Sequence, residues 1–265
     1  MKKKIFYLLN IFLIVSLKIF AINFVENESI EKVFYENQVK GTFVLYNPKT
    51  NSFIGYNEKR AKERFYPAST FKIYNSLIAL HTGAVKNVDE IFYRYNGEKV
   101  FLKSWKHDSN LRYAIKVSQV PAYRLLAKKI GMKQMQEEID RLNFGNKELG
   151  KQVDEFWLRG PLKISSIEQC ELLAKLANNE LPYSENIQKQ VQDIILLENI
   201  EGWNLHGKTG WATSNIKTPI GWFVGYIEKQ GEIYSFAINL DMKDGNNLHK
   251  REKLTKEALK VLKIL

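Results

Sequence analysis

The stretch YPASTFKIYNSLIAL, residues 66–80, has the composition of a buried helix with one charge near its start. Between Ser69 and Leu80, Lys72 is the only charged residue, and apolar residues cover both sides of the predicted helix. A helix that is apolar all round is buried, and a spacing of three places Ser69 and Lys72 on one face. Because burial disfavours an ammonium ion, we expect the pKa of Lys72 to be lowered.

The serine and the lysine of this stretch have a chemical use together. A serine hydroxyl is a poor nucleophile until a neighbouring base accepts its proton, and a neutral Lys72 amine would be such a base for Ser69. Taken alone, the S-x-x-K pattern is weak, because it also occurs at residues 29–32 and 214–217. Polar neighbours at those two places favour an ordinary helix cap with an exposed lysine.

Two further motifs make the pattern more specific. K-T-G occurs once, at residues 208–210 after a strand-like run, and S-x-V occurs once, with Ser118 and Val120 in a mostly helical region. Each motif alone is typical of a strand-end turn or a helix cap. An S-x-x-K motif followed by a serine triplet and then K-T-G is the pattern of the serine penicillin-recognising proteins.

Strand signals lie at both ends of the chain and helical signals lie in the middle. Strands are predicted over 41–47, 51–57, 203–210, 220–229 and 232–241, and helices over 28–38, 71–82, 111–130, 132–142, 166–178, 185–197 and 247–265. We therefore predict an α+β fold, in which one antiparallel sheet is flanked by terminal helices and joined to a helical lobe. The sheet subdomain would comprise about 22–65 and 202–265 and the helical subdomain about 66–201, with the site in the cleft between them.

Residues 1–21 have the features of a secretory signal: three lysines, an apolar run and a small residue at Ala21. An uncleaved membrane anchor is the alternative, although the apolar run is shorter than the ~20 residues of a spanning helix. We predict that the mature chain, residues 22–265, is exported to the periplasm without a stable membrane anchor.

Charge, histidine and cysteine content argue against other classes of protein. Loss of residues 1–21 would lower the formal net charge from +11 to +7, because it removes four lysines and no acidic residue. The remaining lysines are interleaved with glutamates, which indicates a solvated surface and no nucleic-acid partner. The four histidines never fall at metal-ligand spacing, so no metal is expected. The single cysteine, Cys170, excludes an intramolecular disulfide and is expected to pack in the core.

With these motifs, the chain resembles the class D β-lactamases, the oxacillinase group, over nearly the whole predicted mature chain. PASTFKI resembles their nucleophile segment, SQVPAY their S-x-V segment, and HGKTGWA with GWFVGYIE two of their strands. NFGN at 143–146 resembles their Y-G-N box with Phe144 in place of tyrosine, and DEFWLRGPLKIS resembles the segment that carries an active-site tryptophan, here Trp157. Arg251 falls where the family places an arginine for the substrate carboxylate; a surface arginine on a basic helix is the alternative.

The resemblance implies a serine β-lactamase/penicillin-binding transpeptidase-like fold and small-molecule β-lactam substrates, penicillins first, with resistance as the outcome. Ser69 would form an acyl-enzyme, and the backbone N–H groups of Ser69 and Trp211 would bind the oxyanion. Ser118 and Lys208 would pass a proton to the departing lactam nitrogen. The protein would be a monomer or a homodimer.

The resemblance also implies how the acyl-enzyme is hydrolysed. Thr209 and Arg251 would hold the substrate carboxylate, with Gly210 in the same strand. The family carries no separate cofactor but adds CO2 to the buried lysine, here Lys72, and the resulting carbamate serves as the base. Val120 and Phe71 would keep the pocket dry, and the Trp157 indole would hold the carbamate.

Three other functions stay open from the sequence. A penicillin-binding sensor domain would be acylated and then hydrolyse slowly. A cell-wall transpeptidase shares the motifs but normally carries an anchor or extra domains. A basic nucleic-acid-binding protein fits the net charge alone.

Overall fold

The computed structural model describes residues 22–214, 216–242 and 245–265, and it has the α+β architecture expected from the order of the elements. The predicted signal segment, residues 1–21, lies outside the described residues. The strands are β1 (Phe24–Glu26), β2 (Gly41–Asn47), β3 (Ser52–Tyr56), β4 (Leu196–Ile200), β5 (Trp203–Ala212), β6 (Ile220–Lys229) and β7 (Glu232–Asp241). They form one sheet in the order β1-β3-β2-β7-β6-β5-β4.

The helices lie mainly in the middle of the chain, as predicted. They are α1 (Glu28–Glu36), α2 (Glu58–Lys62), α3 (Lys72–His81), α4 (Leu111–Lys116), α5 (Val120–Ile130), α6 (Met132–Leu142), α7 (Phe156–Arg159), α8 (Ser166–Ala177), α9 (Glu185–Ile194) and α10 (Lys250–Val261). Short 3-10 helices cover Ala68–Phe71, Lys103–Trp105 and Gly245–Asn247. No helix in the described ranges is both long and apolar enough to cross a membrane.

The sheet departs from the prediction at both edges. It is antiparallel except for β1, which pairs in parallel with β3, so the expectation of a wholly antiparallel sheet is wrong at this edge. A parallel pair needs a crossover connection, and α1 with β2 supplies it. At the other edge, the helix predicted over 185–197 ends at Ile194, and strand β4 begins at Leu196. The sheet therefore includes residues 196–200, which lie before the predicted start of the sheet subdomain at about 202.

The predicted helix over 111–130 is two helices, α4 and α5. The break lies at Ser118, whose φ of +54° is left-handed and cannot continue an α-helix. The apolar pattern runs on through both helices, so periodicity alone does not reveal the break. The interruption has a consequence for the site, because it places Ser118 in a turn at the start of α5.

Two layers of helices cover the sheet. The terminal helices α1 and α10 pack on one face, around a core that includes Phe34, Phe236 and Leu254. On the other face, α8 packs against β2 and β7, and every residue of α3 except His81 is buried within the helical lobe. Cys170 of α8 is fully buried, and burial raises the pKa of its thiol, which confirms it as a core residue.

Candidate active site

The strongest feature of the cleft is the junction between the 3-10 helix Ala68–Phe71 and α3. Lys72, the first residue of α3, is fully buried, and its Nζ donates a hydrogen bond of 2.7 Å to Ser69 Oγ. Ala68, directly before the serine, has a φ of +49°. Left-handed backbone is unfavourable for a residue with a Cβ and is frequent at functional sites. The structure thus brings Ser69 and Lys72 into the contact that their spacing predicted.

The surroundings of Lys72 favour a neutral amine. Its pKa lies well below the usual value, first because of burial and then because of the positive charges of Lys208 and Arg124. The ring of Tyr123 lies 5.4 Å from Nζ and favours the cation. A cation–π contact is worth about 0.5–2 kcal/mol, whereas full burial shifts a lysine pKa by as much as 3–5 units, so burial dominates.

Trp157 of α7 provides an unused donor in the same core. The side chain is fully buried and lies stacked on Phe71, with ring centroids 5.8 Å apart. Its indole N–H has no hydrogen-bond partner among the described residues. Leaving a buried donor unsatisfied costs about 1–3 kcal/mol. An acceptor bound in this pocket would remove that cost.

The turn between α4 and α5 positions Ser118 and Val120, which are both half-buried. Gln119 between them is fully buried and anchors the turn: its Nε2 donates to the carbonyls of Trp105 (2.9 Å) and His107 (3.1 Å). Sequence reasoning did not single out Gln119. The sequence contains little to mark Gln119 as a buried anchor, because only its position inside the S-x-V motif distinguishes it from a surface glutamine.

Strand β5 forms the opposite wall of the cleft. Lys208 is almost fully buried, and its Nζ donates to the carbonyl of Thr209 at 2.9 Å. Burial, together with the charge of Arg251, lowers the pKa of Lys208 to about 7. Lys208 is therefore able to gain or lose a proton near neutral pH.

The backbone of β5 approaches the serine turn closely at Gly210. A Cβ on Gly210 would lie 3.0 Å from Thr70 Cγ2 and 3.1 Å from the Pro67 carbonyl oxygen. Only glycine fits this approach without displacing the turn. Sequence reasoning identified Gly210 through the K-T-G motif, and the structure supplies the steric reason for a glycine there.

In the part of the chain that the structure describes, the edge of β5 next to the serine turn is not paired with another strand. The N–H of Gly207 donates to the Ile195 carbonyl at 2.8 Å, on the side of β4, and the register of β4 ends at His206. Alternate residues of a strand direct their N–H groups to the same edge. The N–H groups of Thr209 and Trp211 therefore face this edge beyond the end of β4.

Arg251 lies near the start of α10 and is only 9% exposed. Its Nη1 donates to the Gly210 carbonyl at 2.8 Å, and its Nε donates to the Leu248 carbonyl at 2.7 Å. Burial lowers its pKa to about 10, so it remains charged at neutral pH. The alternative of a surface arginine is wrong, because the guanidinium is held against the K-T-G strand.

The segment NFGN braces the loop that follows Trp157. Phe144 is fully buried and packs edge-on against Phe71, with ring centroids 5.4 Å apart. A Cβ on Gly145 would lie 1.9 Å from the Lys163 carbonyl oxygen, so a glycine is required there. Asn146 accepts a hydrogen bond from the Lys163 N–H at 2.8 Å. The phenylalanine in place of tyrosine therefore leaves this packing intact.

The fold and the serine–lysine site are those of a penicillin-binding protein transpeptidase domain, and the model of that family matches residues 41–260. Among curated proteins, β-lactamase OXA-48 of Klebsiella pneumoniae is 39% identical over 240 residues, which cover 91% of this chain and 90% of that protein. β-Lactamase OXA-10 of Pseudomonas aeruginosa is 36% identical, with 86% of each protein covered.

A solved structure narrows the class further. FUS-1 (OXA-85), a class D β-lactamase from Fusobacterium nucleatum subsp. polymorphum, is similar at 55% identity with a TM-score of 0.89, covering 91% of this chain and 100% of that one. The chain belongs to the class D β-lactamases, which are metal-independent serine hydrolases.

Proposed function

We propose that this chain hydrolyses the β-lactam amide of penicillin-type antibiotics through an acyl-enzyme on Ser69 and thereby confers resistance. The observation that carries the proposal is the 2.7 Å hydrogen bond between Ser69 Oγ and the fully buried Lys72 Nζ. Ser69 Oγ attacks the lactam carbonyl carbon and loses its proton to Lys72, which serves as the base. The C–N bond of the ring then breaks, which leaves an ester on Ser69.

Charge that develops during the attack would be stabilised by groups of both walls. The N–H of Ser69 and that of Trp211, which faces the open edge of β5, would bind the oxyanion; one such donor is typically worth about 2.7–4 kcal/mol. Ser118 and Lys208 would deliver a proton to the lactam nitrogen. A Lys208 pKa of about 7 suits this task, because the group exchanges protons near neutral pH.

The second half of the reaction would depend on CO2 bound to Lys72. Only a neutral amine reacts with CO2, and burial favours that form of Lys72. The carbamate supplies an anionic base next to Ser69. The unpaired indole N–H of Trp157 would donate to it, while Val120 and Phe71 would limit the access of water to the surrounding pocket.

Activity should therefore depend on bicarbonate. The purified protein should hydrolyse a penicillin, lose activity at mildly acid pH, where protonation releases CO2, and regain it on adding bicarbonate. Labelled bicarbonate and carbon-13 NMR should show a carbamate resonance. Full activity without CO2 and without that resonance would mean that Lys72 acts as a free amine. The sensor alternative predicts one equivalent of acylation and no further turnover.

Arg251 would anchor the substrate carboxylate together with Thr209. Arg251→Ala should mainly raise KM, and kcat/KM for a penicillin should fall about 10- to 150-fold, the equivalent of losing a charge-assisted contact of roughly 1.5–3 kcal/mol. Steady-state kinetics test this. Lys250→Ala, which removes the neighbouring cation on α10, is the matched control and should keep the wild-type kcat/KM. An unchanged kcat/KM in Arg251→Ala would exclude the anchoring role.

Export to the periplasm is part of the same proposal, and it is supported by the basic and apolar character of residues 1–21. Mass spectrometry of the protein recovered from the producing cells should give a mature chain that starts near residue 22. A chain that retains residues 1–21 would favour the anchor instead.

A further inference from the structure

An ion pair joins α5, which packs against α3, to the start of α7. Helix α7 packs against the 3-10 helix that ends next to Lys72. Arg124 lies on α5, one residue after Tyr123, whose ring faces Lys72 Nζ. Arg124 Nη2 donates to Glu155 Oε1 at 2.6 Å, and the two side chains are 33% and 21% exposed. Glu155 is the residue immediately before α7, the helix that carries Trp157.

Helix α7 has little else to hold it in place through its own backbone. It is a single turn of four residues, and the Glu155 side chain does not cap its N-terminus. The carbonyl of Glu155 accepts from the N–H groups of Leu158 (2.8 Å) and Arg159 (3.0 Å), so a shift of Glu155 would move the whole turn. The Glu155 carboxylate, which also lies 3.6 Å from Arg159 Nε, thus ties Arg124 of α5 to the turn that carries Trp157.

From this geometry we propose that the Arg124–Glu155 ion pair is a positioning element, which holds the Trp157 indole N–H in the Lys72 pocket and so determines how firmly Lys72 retains CO2. This inference rests on the proposed function. Neither residue touches the substrate or the reacting atoms: the pair acts through Trp157, and the Arg124 charge also acts on Lys72 through space. A partly buried, charge-assisted hydrogen bond of this length is among the stronger polar contacts in a protein.

The two charged groups that act on Lys72 are both cations. Lys208 from β5 and Arg124 from α5 are the cations that act on Lys72, while Ser69 and the Tyr123 ring are its neutral contacts. The Arg124 Nε is buried and has no hydrogen-bond partner among the described residues. A guanidinium at this position disfavours an ammonium ion on Lys72 and favours an anion there.

The chain contains a matched control for this pair. One turn further along α5, Lys128 Nζ lies 2.9 Å from Asp154 Oδ2, directly before Glu155 in the chain. This second ion pair joins the same two segments, but Lys128 is 61% exposed and is not among the charges that act on Lys72. Lys128→Gln therefore removes a comparable surface contact without touching the positioning element.

The test is a bicarbonate titration of the substrate-free enzyme, with the carbamate followed by carbon-13 NMR. Arg124→Gln and Glu155→Gln should each raise the half-saturating bicarbonate concentration by about tenfold. Loss of the residues that orient metal-binding side chains has an effect of similar size. Lys128→Gln should stay within about twofold of the wild type. At saturating bicarbonate, acylation by a penicillin, measured by mass spectrometry before deacylation, should be unchanged in all three variants.

Two further measurements separate positioning from a simple charge effect. In a Trp157→Phe background, which lacks the indole N–H, adding Glu155→Gln should change the bicarbonate requirement by less than about twofold, because coupled groups are non-additive. Glu155→Gln keeps the Arg124 charge, preserves the shape of the side chain, and reports on the pair even if Arg124→Gln folds poorly.

These measurements show whether the Arg124–Glu155 pair positions Trp157. A wild-type bicarbonate requirement in Glu155→Gln, or a full additional effect of Glu155→Gln in the Trp157→Phe background, would overturn the inference. If the wild type itself shows no carbamate resonance, the proposed function fails instead. Those two failures are distinguishable in one set of spectra.

Discussion

Replacing Ser69 with alanine will abolish both penicillin hydrolysis and covalent labelling of the protein. The reason is that Ser69 Oγ is the hydroxyl that accepts the 2.7 Å hydrogen bond from the buried Lys72 amine. Without the oxygen no ester is formed, so the protein can bind a penicillin but cannot open the ring by this route. Intact-protein mass spectrometry after mixing with a penicillin should show only the unmodified mass, and hydrolysis should fall to the background rate.

Two serine variants serve as controls for this experiment. Ser76 shares the face of α3 with Lys72, but its Oγ donates to the Lys72 carbonyl at 2.8 Å and contacts the Tyr123 hydroxyl at 2.8 Å. Ser29 belongs to another S-x-x-K pattern, in which the partner Lys32 is exposed. Ser76→Ala and Ser29→Ala should both retain acylation. A covalent adduct on Ser69→Ala would show that the nucleophile is another residue.

Removal of the Lys72 amine should leave an enzyme that is acylated slowly at best and then stays acylated. A general base contributes typically 10²–10⁴-fold to a reaction, so kcat for a penicillin should fall by about that factor in Lys72→Ala. Any acyl-enzyme that forms should persist, because the only base in contact with Ser69 Oγ in the described structure has been removed. Stopped-flow kinetics with mass spectrometry should therefore show a slow or partial acylation followed by a stable adduct.

Bicarbonate provides the control that separates this effect from loss of the fold. Wild-type enzyme freed of CO2 should show part of the same defect and recover when bicarbonate is added, whereas Lys72→Ala should not recover. Thermal unfolding of the variant should remain cooperative, because the substitution removes a group whose charged form is costly to bury. Rapid turnover by Lys72→Ala would contradict the assignment of Lys72 as the base.

The sequence was sufficient for features that depend on local spacing. Ser69 and Lys72 lie three residues apart in one turn, so their contact needs no information from the rest of the chain. The order of strands and helices was enough for the α+β class, because strand and helix periodicities are local properties. The K-T-G strand was found for the same reason, as a motif that follows a strand-like run.

Only the tertiary structure decided the features that join distant segments. Apolar periodicity does not reveal which distant segments pack together. Three features depend on such packing: the left-handed backbone of Ser118, the edge strand β4 and the parallel strand β1. The sequence left Arg251 open between a carboxylate-binding arginine and a surface arginine, whereas the structure shows it bound to the carbonyl of Gly210, 41 residues away. Arg124 lies outside the quoted motifs, 31 residues before Glu155 of the tryptophan segment, and no motif pairs the two. Their contact is determined by the three-dimensional arrangement of the core rather than by any local pattern.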